Sequence, residues 1–257
     1  MGFFIDAFNL IIYQPLFNAL VLLYLYLPGR DFGIAVIVLT VLIKLALYPL
    51  AKKGIQSQRA LQKLQPKIKE IRLKFKNDKE KQARAMMELY QKEKVNPFSG
   101  FLLLLIQLPI LLGLFRVFWK GFDPEQVHLI YRFVPEVGPI DTAFLGIVDL
   151  AQASVVLALI VGVLQFVQAK MLSSTSYSQN EKSRGSSSAK TPDFAAMIQK
   201  QMLYFFPVFT VFILWYLPSA IALYWLTTTL FTIGQQYITL KKELRQKNKT
   251  EKQCSLI

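Results

Sequence analysis

The chain has 257 residues, of which 53% are hydrophobic, and its 30 Lys and Arg against 16 Asp and Glu give a net charge of +14. Several apolar runs reach the length of a bilayer crossing, so the composition predicts an all-α polytopic membrane protein. The single Cys excludes an intramolecular disulfide, and the single His and the absence of metal-ligand spacings predict no metal and no cofactor. We find no nucleophile–base pair and no phosphate-binding glycine loop, so the sequence does not predict an enzyme.

Residues 1–31 contain an apolar segment, 8–27, that polar residues and a proline interrupt. The interrupting residues are Asn9, Gln14, Pro15 and Asn18. Only 19–27 is free of them, which is short for the hydrocarbon core of a bilayer. This pattern favours an extracytoplasmic helix lying in the membrane interface, and a true membrane span is the alternative.

The first predicted span, 32–51, contains one charged residue near its middle, Lys44. A Lys at the centre of a span costs about 2.5–3.5 kcal/mol on insertion scales, and Lys52 lies about 12 Å further along the helix, beyond comfortable reach for a Lys side chain. Thr40 and Tyr48 lie four residues before and after Lys44, so on one helix the three side chains would form a polar stripe. Lys44 is therefore expected to face a polar or wet environment at membrane depth.

Residues 52–97 contain fourteen Lys and Arg against five acids. Lys and Arg accumulate in cytoplasmic loops, so this segment is predicted to be cytoplasmic. Apolar residues recur every three or four positions over 61–75 and again over 83–90, which predicts a hairpin of two amphipathic helices, with Asp78 as the N-cap of the second. Such a hairpin is either a solvated spacer or a contact surface for incoming chains, lipid headgroups or ribosomal RNA.

The remaining segments alternate between apolar and charged composition. They are predicted as a second span (98–119), an extracytoplasmic loop (120–146), a third span (147–171), a flexible cytoplasmic linker (172–199), a fourth span (200–217), a fifth span (218–240) and a basic cytoplasmic tail (241–257). In the fifth span Tyr224, Thr228 and Thr232 form a second polar stripe at four-residue spacing. Gln107, in the second span, needs a polar partner inside the membrane.

The tail carries six basic residues against two acids. The basic residues are Lys241, Lys242, Arg245, Lys247, Lys249 and Lys252. They are suited to phosphate contacts with a ribosome or with lipid headgroups, although a solvated chain end is the simpler alternative.

Six short motifs, which together extend over most of the chain, are those of a known family. They are Lys44-Leu-Ala-Leu-Tyr48-Pro49-Leu50, Leu64-Gln65-Pro66-Lys67-Ile68, Met87-Glu-Leu-Tyr90-Gln-Lys-Glu-Lys-Val-Asn96-Pro97, Leu105-Ile-Gln107-Leu-Pro109-Ile110, Gln165-Phe-Val-Gln168-Ala-Lys-Met171 and Leu214-Trp215-Tyr-Leu-Pro218-Ser219. With these motifs the chain resembles the YidC/Oxa/Alb family of membrane-protein insertases.

The resemblance implies a five-span helical bundle in the plasma (inner) membrane, with an interfacial helix outside, a helical hairpin in the cytoplasm and a hydrophilic groove open to cytoplasm and lipid. Besides the two stripes around Lys44 and Tyr224, it makes Gln107, Gln165, Gln168 and Trp215 candidate groove residues. A Trp at the end of a span is also typical of an interface anchor, and each Gln is equally suited to plain helix–helix hydrogen bonding. The family usually has Arg at the position of Lys44, and Lys lacks the bidentate fork of Arg.

The function implied is that of an insertase and chaperone. It would move short polar extracytoplasmic segments of nascent membrane proteins across the bilayer through the charged groove and release their apolar segments into lipid. The partners implied are nascent membrane proteins, the lipid bilayer, the ribosome through the tail and hairpin, and a Sec-type translocon. The alternatives are a small-solute or ion transporter or channel that uses Lys44, and an assembly scaffold in which Lys44 is dispensable.

Overall fold

The computed structural model describes residues 2–96, 99–120, 129–135, 138, 140–180 and 194–254. These residues are mostly helical, as the sequence predicts, and they also contain one small β-hairpin that the sequence analysis did not predict. The helices are α1 (Gly2–Phe8), α2 (Gln14–Tyr26), α3 (Phe32–Ala46), α4 (Tyr48–Lys74), α5 (Lys79–Lys92), α6 (Ser99–Lys120), α7 (Val155–Asn180), α8 (Phe194–Leu214) and α9 (Ser219–Cys254). A π-helical turn (Asn9–Tyr13) joins α1 to α2, a 3-10 turn (Pro28–Arg30) precedes α3, and the antiparallel strands are β1 (Ala143–Phe144) and β2 (Val148–Asp149).

The chain forms two compact units. One consists of Met1–Leu47, Ile106–Gln168 and Pro192–Ile233, and the other of Tyr48–Leu105, Ala169–Thr191 and Gly234–Ile257. By length and composition, one helix of the described residues, Ile5–Tyr26, could cross a membrane. There are two if α3 and α4 together count as one broken span. Shorter apolar helices lie at Leu105–Trp119, Val155–Met171 and Tyr204–Leu214.

The core of the first unit is built from apolar and aromatic side chains of α2, α3, α6, α7 and α9. Phe32, at the start of α3, is 1% exposed and packs edge-on against Phe118 of α6, with ring centroids 6.2 Å apart. The side chain of Asp31 caps α3 by accepting a hydrogen bond from the Ile34 amide at 2.9 Å. The local sequence therefore sets where α3 begins, and aromatic packing holds that end against α6.

Within the predicted span 32–51 the structure has a break, so the expectation of one continuous helix was wrong. Helix α3 ends at Ala46, and α4 begins at Tyr48 after a single turn residue, Leu47. The cause is Pro49, which has no N–H to donate to the carbonyl four residues back and whose ring crowds that carbonyl. Tyr48 consequently does not continue the helix that carries Thr40 and Lys44.

In the second unit α4 and α5 form the predicted helical hairpin. Asp78 caps α5 by accepting a hydrogen bond from the amide three residues on, at 3.0 Å, which confirms its predicted role. The Ser57 hydroxyl donates to the Asn96 carbonyl at 2.8 Å, and Lys67 forms an ion pair with Glu93 at 2.6 Å. The hydrogen bond from Lys67 holds the pKa of the Glu93 carboxyl below its ordinary value. The linker predicted at 172–199 stays a prediction, since α7 continues to Asn180 and 181–193 lie outside the described residues.

Asn18 attaches α2 to the segment that follows α6. It is 2% exposed, and its amide nitrogen donates to the Leu129 carbonyl at 2.9 Å while its amide oxygen accepts from the Tyr131 backbone at 2.8 Å. The Gln14 side chain, one helical turn earlier, also donates to the Leu129 carbonyl, at 3.1 Å. Two of the polar residues that interrupt the apolar N-terminal segment, Gln14 and Asn18, thus bind this loop.

We predict that Asn18→Leu destabilises the protein by about 1–3 kcal/mol, because the Tyr131 N–H then loses its acceptor in a partly buried site. Gln14→Leu is the matched control and should cost less, because the Leu129 carbonyl keeps its bond from Asn18. Thermal unfolding in detergent measures both, and tryptic cleavage after the exposed Arg132 reports loosening of the loop. Equal effects of the two changes would contradict the role of Asn18.

Candidate functional site

Three predicted residues from three different helices meet in one hydrogen-bonded chain. The Lys44 ammonium on α3 donates to the side-chain oxygen of Gln107 on α6 at 3.2 Å, and the Gln107 side-chain nitrogen donates to the Tyr224 hydroxyl on α9. Lys can only donate, so the amide oxygen of Gln107 must face it and the amide nitrogen must face Tyr224. Both polar groups of the Gln107 side chain are thereby paired, the oxygen with Lys44 and the nitrogen with Tyr224.

The arrangement leaves the charge of Lys44 without an acidic counterpart. Its partner within the described residues is a neutral amide, and its three N–H groups exceed the one acceptor seen there. The Lys44 side chain is partly buried, whereas Tyr224 is 2% exposed. A partly buried cation held by a neutral acceptor keeps more of its attraction for an incoming anion than a cation paired with a carboxylate does.

Gln165 lies in α7 and is 7% exposed. Its side-chain oxygen is buried and has no hydrogen-bond partner among the described residues. A buried acceptor without a donor is costly, and a buried water is the kind of partner that satisfies such an atom. Gln168, three residues further along α7, is partly exposed.

Thr40 and Thr232, which belong to the two predicted stripes, do not join the chain of Lys44, Gln107 and Tyr224. The Thr40 hydroxyl is buried and donates to the Val36 carbonyl of its own helix at 2.6 Å. Thr232 likewise donates to the carbonyl of Thr228 at 2.8 Å, one turn earlier in α9. Ser and Thr satisfy themselves in this way when they face an apolar environment. Tyr48 begins α4, and its backbone carbonyl accepts from Gln235 at 3.2 Å.

Trp215 follows the last residue of α8 and is 48% exposed. Half-exposed indole at a helix end fits the interface-anchor alternative better than a place in a closed polar site. In the tail, Lys241 is exposed, and the side chains of Lys242, Arg245, Lys247 and Lys249 lie outside the described residues, although their backbone belongs to α9. No group of three or more metal-ligating side chains occurs among the residues that the structure describes.

The sequence analysis missed a second cation within an apolar segment, Arg116 near the end of α6. Its guanidinium donates to the Asn9 side chain at 2.6 Å and lies over the Tyr13 ring, 4.6 Å from the centroid. The π-helical turn Asn9–Tyr13 brings both partners to the same cation. The signal was present, since Arg116 is the one charged residue inside the predicted span 98–119. Its partners could not be identified from sequence, because they lie more than a hundred positions away.

Apolar helices with a cation at one polar contact between them are a feature of helical membrane proteins. The family model of the 60Kd inner membrane protein matches residues 23–247. The chain belongs to that family.

Individual relatives carry a more specific name. A protein of Fusobacterium nucleatum subsp. nucleatum named "Membrane protein insertase YidC" is 34% identical over 212 residues, which are 82% of this chain and 87% of the relative. A protein of the same name from Geobacter sulfurreducens is 35% identical over 226 residues, 87% of this chain but only 36% of that relative. A crystal structure described as an active YidC insertase with its first transmembrane domain resolved has a TM-score of 0.52 and 28% identity over 88% of this chain and 46% of that one.

We predict that Gln107→Leu and Tyr224→Phe are non-additive in a double-mutant cycle. The coupling free energy should be about 0.6 kcal/mol and at most about 1.7 kcal/mol, the range of hydrogen bonds between membrane helices. Reversible unfolding in mixed micelles measures it. Thr210→Ala is the control, because the Thr210 hydroxyl bonds only its own helix, to the Phe206 carbonyl at 2.9 Å, and should add independently to Gln107→Leu. Additivity of Gln107→Leu with Tyr224→Phe would contradict the contact.

Proposed function

We propose that this protein is a membrane-protein insertase. It moves short polar extracytoplasmic segments of client proteins across the bilayer through a hydrophilic groove and releases their apolar segments into lipid. The observation that carries the proposal is the contact of Lys44 with the neutral Gln107 and, through it, with Tyr224. Membership in the family and the name of its relatives support the same activity.

The groove acts by lowering the electrostatic cost of a polar segment at membrane depth. A carboxylate entering hydrocarbon alone loses its hydration, and an ammonium within a few ångströms offsets part of that loss. Gln107 holds Lys44 with one hydrogen bond, so the ammonium can turn its remaining N–H groups toward the client. Gln165 and Gln168 of α7 are further groove residues in this proposal. No covalent bond is made or broken in this process.

The membrane arrangement remains part of the proposal. Five spans are formed by α3, α6, α7, α8 and α9, with 52–97, 172–199 and 241–257 in the cytoplasm and 120–146 outside. The N-terminal helix is long enough to cross, yet Asn18 and Tyr24, about 9 Å apart along α2, both bond the segment 129–141. Contacts along the length of α2 with a single extracytoplasmic segment support a helix lying in the interface.

The charge of Lys44 can be tested by insertion of small single-span clients in cells depleted of other insertases. Lys44→Ala should lower insertion of clients with acidic translocated segments about threefold to tenfold, the factor that about 0.7–1.4 kcal/mol of transition-state stabilisation supplies. Clients with neutral segments should change less. Lys44→Arg keeps the cation and should insert at least as well as the wild type, and Lys44→Glu should be worse than Ala.

Thr40→Val is the matched control for these variants, because it removes a polar group of α3 that bonds only its own helix. Protein levels of each variant are measured so that loss of folding is separated from loss of function. Full insertion of every client by Lys44→Ala would exclude the charged groove and favour a scaffold. Unchanged insertion combined with loss of an ion current or solute uptake would instead favour the transporter or channel.

The partners proposed on the cytoplasmic side are the ribosome, through the tail and the α4–α5 hairpin, and a Sec-type translocon. Deletion of 241–257 should weaken cosedimentation with ribosomes, and the difference from the full chain should shrink as salt rises, because Lys and Arg contacts to phosphate release counterions. A tail with its Lys and Arg replaced by Gln tests charge apart from length. Equal binding by all three forms at low salt would leave the tail a solvated end.

A further inference from the structure

The β-hairpin ends in a turn whose backbone does not suit its residues. The Ile147 amide donates to the Phe144 carbonyl at 2.9 Å, and the two residues between them both have positive φ, 51° at Leu145 and 67° at Gly146. This is the pattern of a type I′ turn, in which Asn-Gly is the favoured pair. Gly146 fits, but Leu145 is held in a left-handed conformation that a branched apolar residue rarely adopts. Strain of this kind points to a function of the side chain concerned.

The hairpin is fixed firmly to the first turn of α3. The Leu145 amide donates to Asp31 at 2.6 Å, and the other oxygen of the same carboxylate caps α3. Phe144 packs directly on Gly33, where a Cβ atom would lie 2.1 Å from a ring carbon of Phe144. These contacts define the direction in which the turn points, and none of them uses the side chain of Leu145.

The apolar side chains at the turn are uncovered. Leu145 is 60% exposed and Ile147 is 82% exposed, although residues of a solvated turn are commonly polar. They lie beside the first turn of a helix whose residues from Phe32 to Ile43 are apolar apart from one self-bonded Thr. In the membrane orientation proposed above, the start of such a helix marks the boundary between water and hydrocarbon, which places the turn at the depth of the lipid headgroups and upper acyl chains.

We propose that Leu145 and Ile147 insert into the extracytoplasmic leaflet and anchor the hairpin, and with it the start of α3, to the lipid. The proposal rests on the membrane orientation proposed above and does not depend on the insertase activity. Lipid is the partner that matches two uncovered apolar side chains at this depth. If the two side chains instead formed a site for an apolar client segment, they would be shielded from water only while a client is bound.

The test uses an environment-sensitive fluorophore attached at Ile147→Cys in a Cys254→Ser background, which makes this thiol unique. The full chain is reconstituted in vesicles of phosphatidylethanolamine and phosphatidylglycerol. Leu159→Cys, on an exposed apolar position of α7, is the hydrocarbon reference, and Lys79→Cys, at the start of α5, is the aqueous reference. We expect blue-shifted emission from position 147, with at least twofold stronger quenching by a nitroxide at the lipid headgroup than by aqueous iodide.

Other outcomes overturn the proposal in distinguishable ways. Iodide quenching of position 147 equal to that of position 79 means that the turn is in water. Shielding that appears only after a client peptide is added means that the turn is a client site. Iodide quenching of position 159 as well means that the membrane placement itself is wrong, irrespective of any insertase activity.

The Leu145→Asn variant separates a lipid anchor from a structural role. Asn suits the left-handed backbone and removes the apolar side chain, so the unfolding midpoint in detergent should be unchanged or higher. Nitroxide quenching of the label at position 147 should fall at least twofold in the same variant. A lower unfolding midpoint with unchanged quenching would mean that Leu145 serves the fold and not the membrane.

Discussion

The site depends on the cost of keeping one ammonium group away from water. Lys44 lies in an apolar helix, and the group that accepts its hydrogen bond is a neutral amide, not a carboxylate. A carboxylate in place of the Gln107 amide would stabilise the ammonium more strongly. It would also compete with an anionic ligand for the same positive charge. Gln107 satisfies one N–H group and is itself held by Tyr224, so the cation is positioned without being neutralised.

At the opposite end of α3, a single side chain makes two contacts. Asp31 caps the helix with one carboxylate oxygen and holds the β-hairpin with the other. Close by, Ser219 begins α9 with its amide donating to the Gln152 carbonyl at 2.8 Å, and the next amide donates to Leu150 at 3.0 Å. The connecting segment after α6 therefore supplies the acceptors that the N-terminus of α9 would otherwise lack, and it donates to the carboxylate that caps α3. Replacing Asp31 would free a helix end and a hairpin together.

The sequence was sufficient where short-range chemistry decides the structure. Asp78 as a helix cap and the amphipathic hairpin follow from residues within a few positions of each other. The family motifs contain Lys44 and Gln107, and the polar stripe of the fifth span contains Tyr224. Their mutual contact joins positions up to 180 residues apart, which periodicity cannot determine. The break at Leu47 could be predicted from Pro49, which has no N–H for a helical hydrogen bond to the carbonyl of residue 45. The apolar run that continues through Pro49 instead suggests one unbroken helix. The partners of Arg116, Asn9 and Tyr13, lie more than a hundred positions away, so the sequence alone could not show its contacts.

The self-bonded threonines of α9 have a consequence for how that helix packs. The hydroxyls of Thr227, Thr229 and Thr232 donate to carbonyls of their own helix, each at 2.8 Å. With its hydroxyl turned back to the backbone, a Thr side chain offers its neighbours mainly a methyl group. Thr227 and Thr229 are also buried, at 9% and 2% exposed, so their methyl groups pack inside the protein. A helix that looks polar in the sequence can therefore be buried without leaving these hydroxyls unpaired.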